Sequence, residues 1–292
     1  MAVLVAEDTR VLVQGLTGRS GTFYAHLAMR YGSTYVAGVR PGKGDRTHLG
    51  LAVFDRVRAA VEATGANASL VLVPPHHAAE ALIEAIEAEV PLVVCVTERV
   101  PVLDMLRVRA ALAGARTELV GPNSQGVLAP GLCKIGVMST ADARPGPVGI
   151  VSRSASLTSE IVAQCSAAGL GQSTTIGIGG DPIHGLGFRR CLELFRDDPA
   201  TEGVILIGEI GGAEEEAAAD LPAAGGYGKP VVALVAGRHA PPERRMGHAG
   251  TLATFGGGSA EAKMKRLATA GAIVVKDADA VAPAMARALA GG

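Results

Sequence analysis

Short apolar runs recur along the chain, each followed by a stretch in which apolar positions fall at helical spacing. In the first half the runs are Val11 to Gln14, Tyr35 to Val39, Leu70 to Val73 and Leu92 to Val96. Between them the pattern predicts helices from about Thr22, over Val53 to Thr64, through His77 to Glu89, and over Val102 to Leu112. Strands rich in valine and leucine, separated by helices of this length, imply a parallel sheet covered on both faces. A turn-rich stretch, Gly121 to Gly131, and the proline-bearing Ala143 to Pro147 then break the rhythm. It resumes with strands at Val148 to Val151, Ser173 to Ile178, Val204 to Ile207, Val231 to Val235 and Ile273 to Val275. The helices between them start at Leu157 and cover Phe188 to Phe195, Glu214 to Asp220 and Ala260 to Thr269. The pattern is that of an α/β protein with two doubly wound domains, residues 1–122 and 123–292, meeting near Pro122.

Composition agrees with two domains, because 292 residues exceed the usual size of a single core. With 48% hydrophobic and 19% charged residues the chain is globular rather than disordered. Its 39 glycines imply tight turns and places where backbone approaches something closely. A formal net charge of -1 gives no electrostatic footprint for nucleic acid or an anionic membrane, so an anionic ligand must be held locally. No apolar run reaches the roughly 20 residues of a membrane-spanning helix, and the N-terminus lacks a signal-peptide pattern; a cytoplasmic protein is expected. Cys95, Cys133, Cys165 and Cys191 are too widely spaced for a C-x-x-C pair and read as reduced core residues, with no metal site indicated. His76 and His77 read as a solvated helix start, and Glu214 to Glu216 as an exposed first turn favoured by the helix dipole.

Two loops carry candidate chemistry. The first strand runs into Gln14-Gly15-Leu16-Thr17-Gly18-Arg19-Ser20-Gly21-Thr22, whose small residues either make a plain strand-to-helix turn or let backbone N–H groups cradle a phosphate. It is neither the dinucleotide fingerprint nor a P-loop. After the second strand, Gly38 to Gly44 sets Lys43 between glycines at the end where open α/β sheets bind ligands, either as a phosphate partner or as a solvated cation.

Taken together, eight blocks in order, QGLTGRSGTF, GVRPGKGDRTHLGLAVF, VTERVPVLDM, GPNSQGVLAPGLCKIG, GIVSRSAS, GIGGDPI, IGEIGG and RRMGHAG, resemble the α subunit of succinyl-CoA synthetase along essentially the whole chain. The resemblance implies an N-terminal Rossmann-like domain that binds CoA and a flavodoxin-like ligase domain after it. It implies that Thr17, Gly18, Arg19 and Ser20 receive CoA phosphates, that Lys43 pairs with the nucleotide phosphate of CoA, and that Val96, Thr97 and Glu98 line the CoA cleft. His248 is then the residue that becomes phosphohistidine, with Glu209 as the carboxylate that orients its ring. Ser154, Ala155 and Ser156, between a strand and a helix, are implied to hold the phosphoryl group.

This chain departs from the family at several of these places. Ala155 and Ser156 stand where glycine and threonine are usual, and Ala155 would be strained if the loop needed positive φ. The family's Gly-Pro-Asn-Cys-Pro-Gly is Gly121-Pro122-Asn123-Ser124-Gln125-Gly126, and Ser159 replaces an aromatic residue before Glu160. A larger, more polar acyl pocket, built with Asn123, Ser124, Gln125 and Ser159 and suited to an acid other than succinate, is the expectation. The implied reaction passes a phosphoryl group from ATP or GTP to His248, then to a carboxylic acid, and ends when the CoA thiol displaces it. Since the chain has no Walker sequence, the nucleotide and its Mg²⁺ are expected on an ATP-grasp β subunit. Malate-CoA ligation, amide formation, and a CoA-responsive binding protein without turnover are the alternatives. A nicotinamide oxidoreductase is disfavoured by the missing dinucleotide fingerprint.

Overall fold

The computed structural model of the chain describes residues 2–223, 226–241, 244–251 and 258–291. The first lobe runs through β1 (Arg10–Gln14), α1 (Arg19–Tyr31), β2 (Thr34–Val39), β3 (Arg46–His48), β4 (Leu51–Phe54), α2 (Val57–Thr64) and β5 (Ala68–Val71). It continues with α3 (Pro75–Glu87), β6 (Leu92–Cys95), α4 (Val102–Leu112) and β7 (Glu118–Val120). Its strands lie in the order β3-β4-β2-β1-β5-β6-β7, all parallel except β3. Without the edge strand β3 this is the Rossmann order, with its switch point between β1 and β5.

The second lobe opens with an antiparallel pair, β8 (Gly126–Ala129) and β9 (Cys133–Gly136). It goes on through β10 (Pro145–Ser152), α5 (Ala155–Ala167), β11 (Gln172–Gly177), α6 (Phe188–Asp197) and β12 (Gly203–Glu209). Then come α7 (Glu214–Ala223), β13 (Val231–Ala236), α8 (Ala260–Thr269), β14 (Ile273–Val275), a 3₁₀ turn and α9 (Val281–Ala290). The order is β14-β13-β12-β10-β11-β8-β9. Strands β10 to β14 form a parallel, flavodoxin-like array that switches direction between β10 and β12. The lobes share one apolar cluster in which Leu70, Val94 and Val120 meet Val127 and Ile176. Tyr35 also donates its hydroxyl to the Lys134 carbonyl at 3.2 Å across the join.

Three stretches differ from the sequence pattern. Val53 and Phe54 belong to β4 rather than to a helix, and α2 starts only at Val57. Gly121 to Gly131 contains β8, because glycine serves there as close packing and not as a turn: a Cβ on Gly126 would lie 2.0 Å from the Ile135 carbonyl oxygen across the pair. Helix α9, rich in alanine, lies beyond the last predicted element. The four cysteines are buried free thiols, and burial pushes Cys95 and Cys165 up to about 12 and Cys133 up to about 11, so they are inert core residues. Among the described residues no helix is long and apolar enough to cross a membrane.

Candidate active site

The two sheets present their strand ends in different ways. In the second lobe β10 and β12 run side by side, with Ser152, the last residue of β10, opposite Ile207, so β12 runs on past the end of its neighbour. Glu209 is the last residue of β12, and Arg153 follows β10, donating its backbone N–H to the Ile207 carbonyl at 3.1 Å. Both side chains are buried, 8% and 5% exposed, with Arg153 Nε 3.2 Å from Glu209 Oε1. The other carboxylate oxygen, Oε2, lies 2.8 Å from His248 Nδ1. That bond raises the His248 pKa above its ordinary value, against the opposing pull of partial burial. With Nδ1–H donated to Glu209, the ring is the neutral tautomer whose Nε2 lone pair is free for an electrophile. The ring is 31% exposed.

His248 is held more firmly than a glycine-flanked histidine suggests. The Thr251 hydroxyl lies 2.7 Å from both the Met246 and the His248 carbonyl oxygens, closing a tight turn. The face of the ring rests on Gly180, where a Cβ would lie 2.3 Å from the imidazole. Beside it Asp181, whose carboxyl is raised by burial, accepts from Asn123 Nδ2 at 3.2 Å, and its backbone carbonyl accepts from Arg153 Nη2 at 3.2 Å. Arg153, Gly180, Asp181 and Thr251 lie outside the residues singled out from the sequence. No local spacing betrays them: Arg153, Gly180 and Asp181 acquire their places through contacts between segments distant in sequence, and Thr251 through a turn that only the fold brings to the site.

Helix α5 starts two residues after Arg153. Ser154 caps it, accepting from the Leu157 N–H at 3.3 Å, and Ser156 is exposed in a first turn that carries no acid. Ala155 sits inside the helix, not among the residues with positive φ, so the methyl brings no backbone strain. The α5 N-terminus therefore faces the His248 end of the sheet with uncommitted N–H groups suited to an anion.

Glu214 to Glu216 are not an exposed turn. Glu215 is fully buried against Lys263 of α8, and Glu214 Oε2 lies 3.2 Å from His184 Nε2 as an ion-pair contact. Burial, the largest influence, would raise the Glu214 carboxyl, but His184, the Arg153 charge and the Phe188 backbone N–H together hold it below the usual range.

Gln125 and Ser159, expected to line a larger acyl pocket, border only a small depression in this chain. Gln125 is buried with its amide donating to Thr158 Oγ1 at 2.7 Å, and Ser159 is exposed with its hydroxyl turned to the Ala155 carbonyl. The depression the two line holds about 20 Å³, the space of about one water. Ser124 is spent internally too, bonding the Gly177 carbonyl at 2.5 Å.

In the first lobe a cleft of about 730 Å³ opens at the ends of β1, β2 and β5, lined by Gly15, Gly18, Arg40, Arg56, Val73 and His77 among others. Gly18 caps α1 without a side-chain hydrogen bond and no acid follows in the first turn, which leaves the helix N-terminus free for a phosphate. The far wall, on α3, carries Glu80 and Glu84, so an anion fits the Gly15 to Arg40 end. Thr17, Arg19, Ser20 and Lys43 lie off the cleft's lining, as do Val96 to Glu98 at the end of β6. Thr17 reaches it through Arg40, whose Nη1 donates to the threonine hydroxyl at 2.5 Å. Lys43 is fastened through its backbone N–H to Asp55 Oδ1 at 3.0 Å. Arg40 therefore lines the cleft, with Arg56 and Arg107, where Lys43 does not.

Known proteins match both lobes. Residues 6–99 match the CoA binding domain family and residues 151–273 the CoA-ligase family. The protein named succinate–CoA ligase [ADP-forming] subunit alpha of Aquifex aeolicus is 48% identical over 291 residues, 99% of this chain and 95% of that one. Subunit alpha 2 of Archaeoglobus fulgidus, of the same name, is 47% identical over 289 residues, 99% of this chain and 100% of that one. The ATP citrate lyase of Methanothrix soehngenii, solved in complex with citrate and coenzyme A, superposes with a TM-score of 0.87 at 23% identity. It covers 99% of this chain and 52% of that one, so it shares the fold while this chain spans about half its length. The family is carried by the near-complete match at close to half identity, spanning both sheets and the strand ends where His248 meets Glu209: this chain belongs to the succinate–CoA ligase α-subunit family.

Proposed function

We propose that the chain is the α subunit of an ADP-forming acid–CoA ligase, in which His248 carries a phosphoryl group between a nucleotide and a carboxylic acid. The observation that carries this is the 2.8 Å contact between His248 Nδ1 and Glu209 Oε2, which fixes the ring and leaves Nε2 as the nucleophile. In the first step Nε2 forms a bond to the γ-phosphorus as the bond to the ADP oxygen breaks, and Glu209 balances the positive charge gained by the ring. In the second, a carboxylate oxygen takes the phosphoryl group, the P–N bond breaks, and the ring returns to its neutral form. Thiol attack on the acyl phosphate then releases inorganic phosphate and gives the thioester.

The α5 N-terminus with Ser154, Ala155 and Ser156 supplies donors for the phosphoryl oxygens, and Arg153 shields Glu209 from the dianion. Asn123 stands beside Asp181 at the end from which a succinate-like acid reaches the ring. The first lobe, residues 1–122, is proposed to hold CoA, with Thr17 to Ser20, Arg40 and Lys43 at its phosphates and Val96 to Glu98 along its length. The fit is that of an uncapped helix N-terminus and a cation facing a roomy cleft. ATP with its Mg²⁺ would sit on an ATP-grasp β subunit, where the metal neutralises phosphate charge. Co-purification of the chain with such a subunit, and CoA- and ATP-dependent use of succinate by the pair, tests the reading. His248→Asn is expected to abolish ligation while leaving CoA binding to the isolated chain unchanged by calorimetry. Ligation at a normal rate in that variant would show that the acid is phosphorylated directly.

A further inference from the structure

Glu209 occupies an awkward place in its sheet. Strand β10 ends opposite Ile207, and the Arg153 N–H takes the Ile207 carbonyl. The N–H and C=O of Glu209 point along the same edge one step further on, where no strand remains to pair them. A buried pair from two helices fills that gap. Glu215 Oε1, in the first turn of α7, accepts from the Glu209 N–H at 3.0 Å. Lys263 of α8 donates from Nζ to the Glu209 carbonyl at 3.0 Å and to the Gly211 carbonyl at 2.5 Å, and its third donor meets Glu215 Oε2. Both side chains are fully buried. Gly208 is part of the arrangement, because a Cβ there would lie 2.6 Å from the Glu215 side chain.

Such a pair is an expensive way to stabilise a core. Desolvating two charges costs several kcal/mol per ion, and well-packed apolar residues of the same volume are often as stable or more so. What apolar residues cannot do is grip a peptide N–H and the carbonyl beyond it at once. We propose that Lys263 and Glu215 are positioning residues for Glu209: by clamping the backbone on both sides of its Cα they set where its carboxylate meets His248 Nδ1. The proposal rests on the phosphohistidine reading of His248, and it adds two residues that touch neither substrate nor the reacting ring. Their spacing in sequence, with the acid on α7 and the lysine on α8, makes the end of β12 answer to how those two helices pack.

The test replaces both charges together, so that neither is left buried and alone. In the full chain, Lys263→Met with Glu215→Leu is expected to fold. Nuclear magnetic resonance of histidine-labelled protein, with His248 assigned by its Asn variant, is expected to show the His248 titration moved to lower pH, because the carboxylate no longer holds Nδ1–H. In the complex with the β subunit, kcat is expected to fall on the order of 10²-fold with KM for CoA unchanged, the scale of a misplacement of about 1 Å. Lys263→Met with Glu215→Gln restores an acceptor for the Glu209 N–H, and part of kcat and of the titration shift is expected to return; this variant also serves if the first does not fold. A folded variant whose His248 titrates as in the unaltered chain overturns the proposal, whatever happens to kcat. That titration needs no turnover, so its failure is distinct from the failure of the phosphohistidine reading, which ligation by His248→Asn would expose.

Discussion

The cleft of the first lobe and the His248 cluster of the second lie at equivalent places, the switch points of two parallel sheets, yet they are finished differently. In the cleft the groups stand waiting: α1 begins at Gly18, on the lining, with no side-chain cap and no acid in its first turn. In the second lobe the reactive side chain is already held. Glu209 Oε2 bonds His248, Oε1 is charge-paired with Arg153, its backbone is clamped by Glu215 and Lys263, and the ring of His248 lies on bare backbone at Gly180. A site that holds a diffusible ligand can leave donors to water until the ligand comes. A site that reacts through one of its own side chains must hold that side chain before the reaction starts.

The contrast can be broken from the reactive side with the largest effects. Glu209→Gln is expected to lower the rate of His248 phosphorylation by about 10² to 10³-fold, the cost of losing one preorganised electrostatic partner. Its pH dependence should move as well. The neutral ring is the acceptor, so the rate rises as pH climbs through the raised pKa of His248; without the carboxylate that pKa falls and the rise comes at lower pH. A profile that stays in place would separate Glu209 from the ring. Gly180→Ala puts a methyl where the imidazole lies and is expected to cost on the order of 10²-fold in kcat, with CoA affinity in calorimetry unchanged. On the binding side, Arg40→Ala should weaken CoA by about 1.5 to 3 kcal/mol, the worth of a charged hydrogen bond. Lys43→Ala should weaken it less, and more for CoA than for dephospho-CoA. A loss for Lys43→Ala that exceeds that for Arg40→Ala would mean that the cleft edge, and not its lining, takes the phosphates. The smallest effect is expected from Ser159→Tyr with Gln125→Pro, which should shift preference toward succinate by about tenfold, the low end of what a pocket wall contributes. An unchanged ranking of acids would remove those positions from the acyl site.

Much of this was legible because valine-rich strands and helices of ten or so residues leave a strong periodic trace; α4, α8 and β14 fall on the residues predicted. His248 and Glu209 could be singled out only through the resemblance of whole blocks, for neither a lone histidine between glycines nor a strand-end acid is informative by itself. The remainder was hidden for physical reasons. Glu215 reads as surface because two more glutamates flank it, and its buried cation lies on another helix. Strand β8 reads as turn because Gly126 looks like punctuation, and β9 carries no predicted element, whereas Gly126 and Gly136 let the two backbones touch. Arg153 and Asp181 sit where strands that are distant in sequence end together, which no local window can show.

The central claim is that His248 itself carries the phosphoryl group. The direct measurement is to incubate the pair with γ-labelled ATP and Mg²⁺, leaving out acid and CoA, and to map the label by mass spectrometry under alkaline conditions. The account predicts one labelled site, His248, stable in base and lost in acid, since protonating a phosphoimidazole makes the ring a good leaving group. A label that survives acid, that sits on a serine such as Ser154, or that persists in His248→Asn would contradict it.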